Sequence, residues 1–236
     1  MVTDDNSLTL ADGELVVTGR LVDASNATLY ATSTLNEHSI VCIYKPIAGE
    51  RPLWDFADGC LAHREYAAFL VSQQLGFNLV PLTILRDGPY GYGMVQQWID
   101  IDESIDLGKF FATDHPRLRA MALFDAIINN TDRKIGHLLP VDEIRVFGCD
   151  HGVTFHSDDK LRTVLWQWAD EPLTPEELEL LRKAQLELAG QLGELLEPLL
   201  TELEIAQTAR RVSELLDSGR FPLPNPDWPA VPWPAF

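Results

Sequence analysis

Asn130-Thr131-Asp132-Arg133-Lys134, followed downstream by Gly148-Cys149-Asp150-His151-Gly152, places two carboxylates in loops that leave apolar segments. The segment before the first loop, residues 117–129, reads as an apolar helix, with Leu118, Met121, Ala122, Phe124, Asp125 and Ile128 along its length. The segment before the second, 146–149, reads as a short strand. Working outward towards the N-terminus, residues 39–44 form a nearly all-apolar run, as a buried strand would, and deliver Lys45 followed by Pro46. Residues 60–75 follow with Leu61, Tyr66, Phe69 and Leu70 at helical spacing, Glu65 among them, and Gly76 as a C-terminal stop.

Each of these four residues has an ordinary reading by itself. Lys45 could end a solvated strand, and Glu65 could face solvent on its helix. Asn130-Thr131-Asp132 could be a helix C-cap followed by an Asx turn, and Asp150-His151-Gly152 a hairpin turn. Their order is more specific. Phosphoryl transfer asks little covalent chemistry of a protein. It needs a cation on the phosphates, a carboxylate to position or deprotonate the attacking hydroxyl, and a carboxylate to hold magnesium. A strand lysine, a loop aspartate and an aspartate after a strand supply these in the order used by protein kinases. A second magnesium ligand is expected five residues after the catalytic aspartate, and His137 stands there.

The rest of the chain fits around this frame. Residues 13–20 and 28–33 read as strands joined by the turn-forming Asp23-Ala24-Ser25-Asn26-Ala27. Residues 79–85 and 93–99 read as two further strands about an Asp87-Gly88-Pro89 turn. Thr174, with Pro175 and Glu176-Glu177 behind it, opens a long helical pattern with a break near Pro198 and an end near Leu216. Its leucines lie at core spacing and its glutamates on the other face, as in a solvated amphipathic helix. Trp166 and Trp168 are expected to pack the C-terminal part. Residues 221–236 hold six prolines with Trp228 and Trp233; the tail either packs back through these tryptophans or serves as a polyproline ligand for a partner. The pattern predicts an α+β, two-lobed protein-kinase-like fold. Residues 1–98 form a β-rich N-terminal lobe with one helix, 99–220 a helical C-terminal lobe, and 221–236 a tail.

Net charge −18 excludes some partners. Such a surface repels nucleic acid and anionic lipid unless basic residues cluster, and the lysines and arginines are scattered. No apolar run is long enough for a membrane helix, and the N-terminus carries acids where a signal peptide carries bases. Cys42, Cys60 and Cys149 are too widely spaced for a disulfide framework or a metal motif, which predicts a reducing, cytoplasmic setting.

The run from Phe124-Asp125 through Asn130-Thr131-Asp132-Arg133, with Asp150-His151-Gly152-Val153-Thr154-Phe155, resembles the catalytic and magnesium-binding loops of type II phosphatidylinositol 4-kinases. Over almost its whole length the chain is similar to a bacterial family of phosphatidylinositol 3/4-kinase-like proteins. Ser25-Asn26-Ala27-Thr28, Tyr44-Lys45-Pro46, residues 49–56, Arg64-Glu65 and residues 166–168 carry that similarity.

The resemblance implies roles. Lys45, oriented by Glu65, would contact the ATP phosphates, and the turn at Ser25-Asn26 would cover them in place of a glycine-rich loop. Gln96, Gln97 and Trp98 would form the hinge against adenine. Asp132 would be the catalytic carboxylate, Lys134 would neutralise the transferred phosphate, and Asp150 would be the main metal ligand. His137 departs from the family's asparagine. Imidazole favours softer metals, so it points to manganese in place of magnesium, or else it hydrogen-bonds Asp132 or Asp150. The expected function is ATP-dependent transfer to a hydroxyl of a protein or soluble metabolite, with an inositol lipid less favoured by the charge. A lipid acceptor would need a basic surface around Arg117, Arg119, Arg133 and Lys134. The alternative is a nucleotide-binding pseudokinase acting as a regulatory or scaffold module.

Overall fold

The computed structural model describes residues 5–21, 28–51, 53, 55, 56 and 59–236. Ser25 and Asn26 lie outside the described residues, as do Pro52 and Trp54. A first helix, α1 (Asp5–Asp12), precedes three strands, β1 (Glu14–Arg20), β2 (Leu29–Leu35) and β3 (His38–Pro46). Then come α2 (Leu61–Leu75), β4 (Thr83–Gly88) and β5 (Gly91–Gln97). The five strands form one sheet in the order β1-β2-β3-β5-β4, every neighbouring pair antiparallel. The remainder is mainly helical: α3 (Leu107–Phe110), α4 (Pro116–Ile128), the short hairpin β6 (Leu138–Pro140) with β7 (Val146–Gly148), then α5 (Pro175–Leu188), α6 (Gln191–Leu196) and α7 (Glu202–Ser218).

The pleat of β3 gives the sheet two distinct faces. Ile40, Cys42 and Tyr44 are buried, and Val41, Ile43 and Lys45 alternate with them on the other face. The even set joins Leu10, Leu15, Ala31 and Val95 in a small core closed by α1. Register puts Tyr30, Met94 and Gln96 on the face of Ile43 and Lys45, because directly paired residues share a face. α1 was not anticipated from sequence: its eight residues include only two leucines, and its docking rests on backbone acceptors. Ser33 Oγ donates to Thr9 O at 2.5 Å and Arg86 to Leu10 O at 2.6 Å.

Several expected boundaries shift. Gly76 ends α2 in the left-handed conformation, as predicted. The β4–β5 turn is Pro89-Tyr90, with Asp87 and Gly88 still inside β4. Thr174 caps α5 with a reciprocal Glu177 bond, and the helical pattern breaks at 197–201, around the expected Pro198, but also at Ala189-Gly190, where no break was expected. Thr201 and Glu204 make a second capping box at the start of α7. The tail does fold back, with Ala230 O accepting from Thr163 N at 3.0 Å and from Trp166 Nε1 at 2.8 Å. Trp228 lies under the Lys160 ammonium, 4.9 Å from its ring centre. Trp233, however, is 92% exposed, because the tail is held by backbone bonds and Trp228. Trp168 is buried in the large core, and Trp166 spends its indole N–H on the tail.

Candidate functional site

Three residues from three separate segments meet at one end of the sheet. Lys45 Nζ lies 2.6 Å from Glu65 Oε1 and 2.8 Å from Asp150 Oδ1. Glu65 is fully buried, and its second oxygen accepts the His151 N–H at 2.8 Å. One glutamate therefore ties the strand lysine to the loop bearing Asp150. Burial opposes the charge on Lys45, but Asp150 and Glu65 outweigh it and raise its pKa above the ordinary lysine value. The Lys45 ammonium holds the Asp150 carboxyl well below the usual range. Lys45 is thus a fixed cation and Asp150 a fixed anion at neutral pH. Asp150 adopts a left-handed backbone, φ 59°, an uncommon conformation for a non-glycine residue that a site-shaped loop imposes.

The loop of Asp132 is built on a buried ion pair. Arg133 is 0% exposed, and it contacts Asp125 of α4 through Nε and Nη2, each at 2.9 Å. Its Nη1 donates to Cys149 O at 3.0 Å and its Nη2 to His151 Nε2 at 2.7 Å. One guanidinium thereby connects the helix, the Asp132 loop and the Asp150 loop. A side chain at Gly148 would come within 2.7 Å of Met121 Sδ and 3.1 Å of Arg133 Nη1, so only glycine lets β7 approach this pair. Thr131 adds two bonds to Val153 O, at 3.0 Å from its backbone N–H and 2.9 Å from its hydroxyl.

Asp132 itself projects between two cations, Lys134 at 3.4 Å and Arg162 at 3.6 Å. Burial raises its pKa, and the two cations work against that. Arg162 was not singled out from sequence. It is brought here because its strand segment lies parallel to the loop: Arg133 N donates to Arg162 O, and Arg162 Nε to Thr131 O at 2.6 Å.

His137 stands 3.5 Å through Nε2 from Asp150 Oδ2. Lys134 N–H donates to its Nδ1 at 3.4 Å, which leaves the proton of the neutral ring on Nε2, facing Asp150. Burial pushes its pKa down to about 4, so the ring is neutral. Among the described residues, no cluster of three or more His, Cys, Asp or Glu side chains is arranged to hold a metal.

The three residues expected at the hinge behave differently from one another. Gln96 is buried on the Lys45 face of the sheet and donates to Thr83 Oγ1 at 2.8 Å. Backbone N–H groups of Gln97 and Trp98 go to Leu82 O and Val41 O. Trp98 packs edge-on against Tyr30, ring centres 5.3 Å apart. Tyr30 was missed in the sequence because only strand register places it on the Lys45 face. Glu50 was missed too; its carboxylate accepts from Leu61 N and Ala62 N at 2.9 and 2.8 Å, capping α2 where Cys60 offers no side-chain cap.

The basic surface that a lipid acceptor would need is not formed by Arg117, Arg119 and Arg133. Arg133 is buried against Asp125, and Arg119 pairs with Glu177 at 2.7 Å and Glu171 at 2.9 Å. Arg117 donates to the carbonyls of Phe77 and Asn78. No helix among the described residues is long and apolar enough to cross a membrane.

Protein Rv2133c of Mycobacterium tuberculosis (strain ATCC 25618 / H37Rv) is 44% identical over 268 aligned residues, covering 99% of this chain and 96% of the mycobacterial protein. The chain belongs to the family of that protein. No family model matches the chain. Among solved structures, a Golgi casein kinase with Mn/ADP bound superposes with a TM-score of 0.60 at 15% identity, over 91% of this chain and 76% of that one. A second structure of a Golgi casein kinase gives 0.55 at 14% identity, over 91% and 74% of the two chains. The Helicobacter pylori proinflammatory kinase CtkA gives 0.50 at 11% identity, over 90% and 94%. At these identities the likeness is one of fold. The chain has a kinase-like, α+β fold with an antiparallel sheet and a helical portion.

Proposed function

We propose that this chain is a phosphotransferase that moves the γ-phosphoryl group of ATP to a hydroxyl of a protein or soluble metabolite. The observation that carries the reading is the Lys45 ammonium gripped by both Glu65 and Asp150, at 2.6 and 2.8 Å, beside a loop presenting Asp132 between two cations. In this reading Lys45 supplies the fixed positive charge for the phosphates, and Glu65 prevents it from following Asp150 outward. Asp132, with a carboxyl raised by burial, accepts the hydrogen bond of the acceptor hydroxyl and orients its attack. Lys134 compensates negative charge on the group in transit. Gln96 and Trp98, with Tyr30, line the adenine side; Gln97 is confined to a sheet bond through its N–H. Ser25 and Asn26 are assigned to the phosphates on the resemblance alone.

A divalent cation fits Asp150, whose half-exposed carboxylate offers hard oxygens; phosphate oxygens and water would complete the shell. Magnesium or manganese would neutralise charge on the phosphates there, and the Golgi casein kinase with Mn/ADP bound gives the fold a precedent. The Nε2–H tautomer of His137 favours a hydrogen bond to Asp150 over direct ligation. The sequence similarity to phosphatidylinositol 3/4-kinase-like proteins stays a proposal of ancestry. The paired arginines and the net charge favour an acceptor other than an inositol lipid. Three free cysteines suit a cytoplasmic setting. The working division is 1–98, 99–220 and the tail 221–236, which could also engage a partner through exposed Trp233.

A pseudokinase module is the second reading, and His137 at the asparagine position is what favours it. Thermal shift with ATP, with and without magnesium or manganese, tests both: a concentration-dependent rise supports a nucleotide site, and no rise removes it. Autophosphorylation and ATP turnover then separate the enzyme from the module.

A further inference from the structure

Arg64 sits beside Glu65 on α2, and it is 2% exposed. One terminal nitrogen donates to Thr154 O at 2.8 Å, in the loop that follows Asp150. The other meets Glu204 Oε1 of α7 at 2.5 Å, and the guanidinium lies 4.9 Å from the Phe56 ring centre. Glu204 is held in turn: its second oxygen accepts Thr201 N–H at 2.8 Å and Thr201 O–H at 3.0 Å. Segments around positions 64, 154 and 204 therefore converge on one buried guanidinium. Its planar fork serves two acceptors at once, which a lysine ammonium cannot do with the same rigidity.

The packing of α2 gives this contact a meaning. Ala67, Ala68, Val71 and Leu75 belong to the large core shared with α4, α5, α6 and α7, whereas the sheet residues under α1 form a separate cluster. α2 also packs on β4 and β5, but Arg64 ties it by polar contacts to the body, to the loop after Asp150 and to α7. We propose that Arg64 is a positioning residue: it locks α2, the Asp150 loop and α7 together, so that Glu65 and Asp150 keep a fixed spacing about Lys45. This rests on the phosphotransferase reading for its catalytic consequence, but the locking itself is a property of the fold.

The test uses the full chain with Arg64→Met/Glu204→Met and, separately, Arg64→Lys. The double variant removes both charges together and leaves neither buried alone, so folding is expected to survive. Arg64→Lys keeps the ion pair with Glu204 but not the second bond to Thr154 O. Three quantities are read: melting temperature, Mn–ADP affinity with ATP turnover, and hydrogen exchange at the amides of His151 and residues 61–68. Both variants should melt near the parent yet exchange at least tenfold faster at His151, whose N–H donates to Glu65. They should also bind Mn–ADP at least tenfold more weakly, with kcat falling more than KM rises. Unchanged His151 exchange in a folded variant overturns the proposal. If the double variant does not fold, Arg64→Lys decides alone by the same exchange criterion. If the parent binds no Mn–ADP, the phosphotransferase reading falls while the exchange arm still judges the lock.

Discussion

The sheet and the helical body hold their residues in different ways. Under α1 the sheet buries a small cluster around Leu10, Tyr44 and Val95, and it presents Lys45 from a strand whose pleat leaves that side chain on the opposite face. The helical body buries a far larger set running from Ala67 to Phe221, and inside it sits a polar network, Asp125–Arg133–His151 and Arg64–Glu204, that fixes Asp132, Asp150 and Glu65. A large apolar core can bear the desolvation of buried ions when every one is paired; a thin sheet layer cannot. The difference teaches where rigidity resides. The acids of the candidate site belong to the body, and its lysine belongs to the sheet.

The sharpest way to break that comparison is at the acids. Asp132→Asn should spare nucleotide binding and lower turnover by about a hundred- to ten-thousand-fold, the usual range for a positioned acid–base group. Retained full turnover in that variant would remove Asp132 from its role. Asp150→Asn should instead abolish metal-dependent nucleotide binding, measured by calorimetry. At the network, Arg133→Met leaves Asp125 buried without its partner and should cost about 3–5 kcal/mol of stability, read by denaturant unfolding. An equivalent loss is not expected on the sheet side: Val16→Thr, at a position 49% exposed on β1, should stay within about 0.5 kcal/mol.

Acid should sharpen the contrast further. His137 has its pKa pushed down to about 4 by burial, and burial also lowers that of His151. Both take up protons more readily unfolded than folded, so their neutral burial costs nothing above the ordinary histidine pKa. As pH falls from about 6.5 towards 4, the unfolded state binds protons first and stability drops, by up to about 3 kcal/mol from His137 alone. Melting of the metal-free protein across that window checks the sign; a flat profile would contradict the buried neutral rings. A modest effect is expected at a helix end: Thr174→Ala removes the α5 capping box and should cost about 1 kcal/mol without touching turnover. His137→Asn distinguishes the two uses of that ring. A rise in magnesium-supported turnover marks a poor ligand, and no change marks a hydrogen-bonding histidine.

Much of the frame was legible before any coordinates. The apolar run before Lys45, the glycine after α2, the Thr174 capping signal and the helix before Asn129 are local patterns, and local patterns are written in consecutive residues. α1 was not, because an eight-residue helix has too few apolar positions to show a period and is held by distant donors such as Arg86. The break at Ala189-Gly190 was hidden by leucines that continue on both sides of it and join one core.

For the site, the chain order of Lys45, Glu65, Asp132 and Asp150 was enough to suggest the proposed chemistry, since phosphoryl transfer demands few residue types and the sequence carries them in a known order. Their spacing in three dimensions, and the company they keep, was not. Arg162 reaches Asp132 through a parallel segment, Tyr30 reaches Trp98 through strand register, and Glu50 caps α2 across a loop. The basic surface a lipid acceptor would need does not form, because Arg133 and Arg119 pair with Asp125, Glu177 and Glu171. Sequence by itself determined which residues could do the work, because residue type and local period are properties of the chain. Tertiary structure decided which were neutralised, which were exposed and which were locked together, because pairing and burial depend on residues far apart in sequence.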